Sequence, residues 1–267
     1  MGEGPIWHPT RARLYWFDIL ANRFHTQGQT WQFDRPVSAA GWIDHNRFLI
    51  ASATDLFTFD IETGQSETVI ALEADNSVTR SNDGRADPWG GFWVGTMGLN
   101  AEQQAGAIYR FFDGVLRRLV ADITIPNAIC FSPDRRFAFY TDTHEAVIYR
   151  QGLNQKNGWP DGPPLPFVDL SKDGLHPDGA VCDSDGGLWN AQWGAGRVAR
   201  YRSDGGLDQI IPLPTDNVTC PAFGGPDLQT LFVTSASVGL ERDQPQAGRT
   251  FALPSQYRGQ REHQVIL

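Results

Sequence analysis

The sequence predicts an all-β chain folded as a six-bladed β-propeller around a central channel. Three observations carry this. The first is an internal repeat, with copies beginning near residues 4, 40, 82, 127, 177 and 219. The step of about 36 to 50 residues is the repeat length of propeller blades. The second is that each copy holds short apolar, aromatic-rich runs separated by turn residues. The third is the lack of any apolar stripe of helical period longer than two turns.

The clearest copy is Pro177 to Tyr201, PDGAVCDSDGGLWNAQWGAGRVARY. It reads as an apolar run, a polar turn, a second apolar run ending in small or polar residues, and an aromatic-rich run. Gly4 to Phe24, Ala40 to Phe59, Asn82 to Phe111, Asn127 to Tyr149 and Thr219 to Leu253 follow the same plan with drift. The strand signals are RLYWFDI, RFLIAS, LFTFDI, GFWVGTM, AIYRFF, RFAFYTD, VIYRQ, GLWNAQW, RVARYR and TLFVTSA. Between them, SPDRR, DSDGG, DPWGG and GGPDLQ carry the Asp, Pro and Gly chemistry of tight hairpin turns. Gln151 to Pro166 breaks the pattern and is expected to be a surface excursion, because the repeat resumes after it. Leu240 to Arg249 reads as a loop inside the last copy. Six units use up the 267 residues, so one domain, 1–267, is expected.

Composition narrows the function classes. Charged residues make up 20% and hydrophobic ones 40% of the chain, as in folded globular proteins. Nine Trp and sixteen Phe are many for this length, and strands favour aromatics. With 22 basic against 31 acidic residues and a net charge of −9, the chain lacks the basic surface that nucleic acid or an anionic membrane would need. Cys130, Cys182 and Cys220 are odd in number and form no CxxC, which argues against a disulfide framework. Each sits in an apolar run, so buried thiols on adjacent inner strands are expected. The start, MGEGPIWHP, has neither the basic nor the apolar region of a secretory signal. A cytoplasmic protein, monomeric or weakly dimeric, is expected.

The repeat also aligns the chain against itself. At the start of each inner run, one position faces the channel mouth. Read there, the copies offer Glu3, Ala39 or Ala40, Asn82 with Arg80 nearby, Asn127, Asp178 and Thr219. Glu3, Asn127 and Asp178 form an oxygen set suited to a hard divalent cation. Asp and Asn beside Gly or Pro are also common turn residues, so this pattern alone leaves a structural reading open.

Five motifs then stand in order: GEGPIW (2–7), RSNDGRADPWGGFWVGTMG (80–98), PNAICFSPD (126–134) with YTDT (140–143), PDGAVCDSDGGLWNAQWGAGRVARY (177–201) and CPAFGGPDLQTLFVTSA (220–236). Together they resemble the senescence-marker-protein/gluconolactonase family of regucalcin-like lactonases. The resemblance implies a six-bladed propeller with one divalent metal at the channel mouth (Ca²⁺, Zn²⁺, Mn²⁺, Mg²⁺ or Fe²⁺). It implies that Glu3, Asn127 and Asp178 bind that metal and that Asp178 is also the catalytic base. Arg80 and Asn82 match the residues that bind substrate oxygens. An acidic residue shortly after GTM also holds substrate in animal members, and Asn100 stands at the matching position here.

The chain departs from the family pattern in places. Ala128 follows the metal-binding Asn where Gly is usual, which predicts an altered local turn. His176 precedes PDG where Ile or Val is usual. Only Met1 precedes GEGP, where members carry an extra strand, so closure of the ring by the segment His263 to Leu267, or a different gene start, is expected. His144, after YTDT, has two readings: a residue lining the channel, or, more commonly for such a position, an ordinary loop residue. The implied reaction is hydrolysis of a small sugar lactone to its acid. Alternatives are a non-catalytic propeller that binds a metal or a partner, and an organophosphate-type hydrolase. No GxSxG elbow, GxGxxG or P-loop is present.

Overall fold

The computed structural model describes residues 1–240 and 243–267. Six antiparallel sheets surround a channel, spanning residues 2–32, 37–71, 79–123, 126–169, 176–212 and 218–254. The first five blades have four strands each among the described residues, and the sixth has three. Among the described residues the only helical element is a 3-10 turn, Ser171–Asp173. The six-bladed all-β architecture read from the repeat is the one observed.

The aromatics supply the packing between blades. Phe17, Phe24, Phe48 and Phe57 fill the space between blades 1 and 2. Trp93, Ile129 and Tyr140 do so between blades 3 and 4, and Trp189, Phe223 and Leu231 between blades 5 and 6. Burial of each large apolar side chain is worth roughly 1.5–3 kcal/mol, so these layers dominate the cohesion of the ring. The predicted turns hold for a physical reason. In DSDGG, the Asp183 carboxylate accepts from the Asp185 and Gly187 N–H groups and from Trp189 Nε1, and pairs with Arg200 Nε at 2.7 Å. In DPWGG, Asp87 accepts from the Trp89 and Gly91 N–H groups and pairs with Arg110 Nε at 2.7 Å. A Cβ at Gly187 would strike the Arg200 guanidinium, and one at Gly91 would strike the Asp87 carboxylate and the Phe111 carbonyl.

The Gln151–Pro166 excursion folds back onto blade 3. Its Asn157 carbonyl accepts from Arg110 Nη1 at 2.8 Å, and Trp159 lies 4.5 Å from the same guanidinium. Of the expected loop from Leu240 to Arg249, Glu241 and Arg242 lie outside the described residues.

Ring closure differs from expectation. His263 to Leu267 forms no strand. Blades 6 and 1 meet instead through side chains. Trp7 stacks on Phe232 at 5.7 Å, Gly224 leaves room for the indole, and Thr219 Oγ1 donates to the Gly2 carbonyl at 2.6 Å. Residues 258–267 run as an extended strap across the channel end opposite the mouth. Gly259 N–H donates to Leu228 O in blade 6. Gln260 Nε2 donates to Phe131 O and Cys182 O in blades 4 and 5. Glu262 pairs with Arg85 in blade 3 at 2.6 Å, and Val265 N–H donates to Trp42 O in blade 2. The segment shows no strand period, because its residues meet several blades in turn rather than one partner strand.

Candidate active site

Every innermost strand carries a register irregularity near its first residues. These lie between Glu3 and Ile6, Val37 and Ala39, Asn127 and Cys130, Pro177 and Ala180, and Val218 and Pro221. In blade 3 the break falls opposite Asn82 and Asp83. A bulge adds a residue and re-aims the side chain beside it. Repeated around the ring, it turns Glu3, Asn82, Asn127 and Asp178 from four blades toward one cavity of about 420 Å³. In blade 2 the corresponding residue is Ser38, not Ala39 or Ala40, because the bulge shifts the count. Ser38 donates to Ser81 Oγ at 2.7 Å, and Thr219 in blade 6 donates to Gly2 O at 2.6 Å and lies 2.8 Å from Thr234 Oγ1. Both hydroxyls are thereby used between or within blades.

A hydrogen-bond chain joins three blades. Arg80 Nη1 donates to Asn82 Oδ1 at 3.0 Å and to Ser81 O at 2.8 Å. Asn82 Nδ2 donates to Asn127 Oδ1 at 3.1 Å and to Pro126 O at 3.0 Å. Asn127 Nδ2 donates to Thr143 Oγ1 at 2.9 Å, which donates to Pro177 O at 2.7 Å, next to Asp178. The amide of Asn127 is therefore oriented, with one lone pair of Oδ1 left over. Ala128 adopts φ 59°, so the left-handed turn is kept with a methyl in place. The equivalent Gly4 has φ 53°, and there a Cβ would overlap the Ser38 carbonyl.

The electrostatics are unusual for a resting channel. Burial, followed by the charge of Asp83, raises the Glu3 carboxyl well above its ordinary range. Burial, followed by Glu3 and Asp83, does the same to Asp178. Burial raises Asp83 to about 6, although the Ile129 N–H donates to it at 2.7 Å and Arg85 stands nearby. Burial lowers the Arg80 pKa. Glu3 accepts, among the described residues, only from the Gly4 N–H, at 3.2 Å, and Asn190 Nδ2 holds the Asp178 backbone carbonyl. Among the described residues, no three His, Cys, Asp or Glu side chains are grouped to hold a metal by themselves. A site here needs the Asn127 amide oxygen as its third ligand. Two desolvated carboxylates and an oriented amide oxygen, with few donors of their own, fit a hard cation.

Other walls were not picked out from the sequence: Met1, Met97, Ile125, Thr143, His176 and Trp193 line the cavity beside His144. A signal for them was present, since Met1, Ile125 and His176 stand two residues before Glu3, Asn127 and Asp178, as Arg80 stands before Asn82. Asn100 does not line the cavity. It sits in an exposed turn, where its N–H and Nδ2 donate to Glu102 at 3.0 and 2.9 Å. Asp83, passed over inside RSNDGR, clamps the bulge that presents Asn127. The thiols of Cys130, Cys182 and Cys220 are free and buried on adjacent inner strands, as expected.

A family model described as SMP-30/Gluconolactonase/LRE-like region matches residues 1–237. A putative sugar lactone lactonase of Rhizobium meliloti is 39% identical, over 98% of this chain and 92% of its own length. A 6-deoxy-6-sulfogluconolactonase of Pseudomonas putida is 35% identical, over 94% of this chain and 90% of its own length. The crystal structure of a calcium-binding protein, regucalcin, from Agrobacterium tumefaciens superposes with a TM-score of 0.97 at 40% identity. That match covers all of this chain and 94% of the other. Among the described residues, no helix is long and apolar enough to cross a membrane.

Proposed function

The chain belongs to the SMP-30/gluconolactonase/LRE-like family, and from that premise we propose that it hydrolyses a small sugar lactone to the open sugar acid. The observation that carries this reading is the convergence of Glu3, Asn127 and Asp178 from three blades, beside Arg80, in one cavity. Relatives named as sugar lactone lactonases and a sulfogluconolactonase point to the same substrate class.

A divalent cation held by Glu3, Asn127 and Asp178 would supply Lewis-acid polarisation of the lactone carbonyl and acidify bound water. The chain's own groups do the rest. Asp178 takes a proton from the attacking water as its oxygen bonds to the carbonyl carbon. The ring C–O bond then breaks, and that proton passes to the departing ring oxygen. Arg80 is pinned through Nη1, which leaves its other N–H groups to hold ring hydroxyls. Asn82 spends its amide on Arg80, Pro126 and Asn127, so its part is to fix the geometry of both neighbours.

The test is a pH-indicator assay of a sugar-lactone panel with EDTA-treated and cation-reloaded protein. No turnover with any divalent cation would sink the reading. Asp178→Ala is expected to lose about 100-fold to 10,000-fold in kcat/KM, the usual span for a general base. Unchanged turnover in that variant would remove Asp178 from the mechanism.

A further inference from the structure

We propose that the site also accepts lactones whose ring carries an apolar substituent, and that this substituent leaves the cavity along blade 3. The inference rests on the lactonase reading and extends its substrate class. The polar groups that could hold an ester ring gather at the channel end of the cavity. The walls above them include Met97, Ile125 and Trp193. A hydroxyl facing these side chains would be desolvated without a partner, whereas a methylene there loses nothing. A cavity of about 420 Å³ is in the range that encloses ligands larger than a bare ring.

The apolar wall has a direction. Met97 lies on the second strand of blade 3, Phe92–Gly98, opposite Arg80. Just beyond that pair, Leu99 N–H donates to Val78 O at 2.9 Å, so the two residues are neighbours at the mouth-side end of the same hairpin. Val78 is 52% exposed and Leu99 49%, an apolar pair open to solvent. On blades 4 and 5 the exposed residues of the cavity wall are His144 and His176, with Trp193 half-buried beside them. An alkyl chain that passes Met97 meets further apolar surface at Val78 and Leu99, on the blade 3 side. The chemistry stays balanced: water adds to the carbonyl carbon, the ring C–O bond breaks and its oxygen takes the proton. The product is a hydroxy acid bearing the same alkyl group.

The experiment measures kcat/KM for γ-butyrolactone and its γ-methyl, γ-ethyl, γ-propyl and γ-pentyl homologues, beside glucono-δ-lactone, with divalent cation present. The expected result is a rise of about threefold to fourfold per added methylene, the value of moving one CH₂ out of water. In Val78→Ser/Leu99→Ser the rise should flatten for the propyl and pentyl members, and both residues are exposed enough for the variant to fold. A flat or falling series with gluconolactone still hydrolysed overturns the inference and leaves the lactonase reading standing. A rise unchanged in the double variant overturns the blade 3 path. Turnover of no lactone at all overturns both readings.

Discussion

His8 makes the stability of this protein sensitive to mild acid, by an amount that can be worked out from its surroundings. The ring is fully buried at the outer end of the first inner strand, Gly2–His8. Its Nδ1 accepts from the backbone N–H groups of Thr10 and Arg11, both at 3.3 Å, while Nε2 lies 2.9 Å from the Asp44 carbonyl. Those partners select the neutral tautomer with the proton on Nε2. A second proton on Nδ1 would point at two N–H donors. Phe48 at 5.1 Å, Trp42 at 5.7 Å and Tyr15 at 6.1 Å close off water. Burial is the main cause, helped by Arg11 and His45 and opposed by Asp44, and it lowers the pKa from 6.5 to about 4.

The unfolded chain therefore binds this proton more tightly than the folded one. Stability is fully present above about pH 6.5, falls as pH drops toward 4, and changes no further below that. Over that window the loss is about 3 kcal/mol, from 1.36 kcal/mol per pH unit. In a chain of this size it should lower the melting temperature by about 6–12 °C. The carboxyls of Glu3, Asp83 and Asp178 act in the opposite sense, since their raised values let the folded state take up protons first. The comparison that isolates His8 is urea unfolding of wild type and His8→Gln between pH 7 and pH 4. The variant should start less stable, having lost ring packing, but lose about 3 kcal/mol less on acidification. Parallel stability–pH curves for the two proteins would refute the reasoning.

Three further outcomes are expected. Saturation with a divalent cation at about 100 times its Kd should stabilise the protein by about 2.7 kcal/mol and raise its melting temperature by about 5–10 °C. EDTA should reverse this, Glu3→Gln should abolish it, and an equal shift in that variant would exclude Glu3 as a ligand. Glu262→Gln should cost about 3 kcal/mol in chemical unfolding, because it leaves Arg85, whose Nε already lacks a partner, buried without its counter-charge. A cost under about 1 kcal/mol would mean that the strap is not held by this pair. Ala128→Gly should change stability by no more than about 1 kcal/mol: relief of a left-handed alanine, worth about 1–2 kcal/mol, opposes a lost buried methyl and a looser unfolded chain. A loss above about 2 kcal/mol in urea unfolding would show that methyl packing outweighs the backbone term.

What could be read from the sequence follows the periodicity of the molecule. Blade number and the mouth-facing positions Glu3, Asn82, Asn127 and Asp178 were legible because each blade repeats the same bulge at the same place. A self-alignment detects any feature that recurs. It failed by one or two residues in blade 2, where the run VSAAGW hides the bulge at Ser38. Only the hydrogen-bond register, Val37 with Ser52 and then Ala39 with Ala51, shows the shift. It failed completely for the strap, where a closing strand was expected over His263 to Leu267 and Gln260 and Glu262, which meet the channel base, were not picked out.

The same division runs through the site. The residues proposed to hold a cation and to move a proton sit on the repeated inner strands, so their positions can be read across copies. The walls beside them keep the same phase: Met1, Arg80, Ile125 and His176 each stand two residues before the mouth-facing residue of their blade, and Met97, Thr143 and Trp193 lie opposite three of them. Their residue types differ from blade to blade, and the phase is lost only where the chain leaves the strands. Asn100 shows the consequence. Counting forward from GTM is reliable within the strand Phe92–Gly98, but the chain then turns outward and Asn100 binds Glu102 instead of the cavity. The position of each wall is therefore set by the repeat, whereas its side chain is particular to its blade: Met1, Arg80, Ile125 and His176 share one place in the register and present four different chemistries. A self-alignment locates such walls but does not say what they bind, so chain-length series and rim variants are the measurements that read their selectivity.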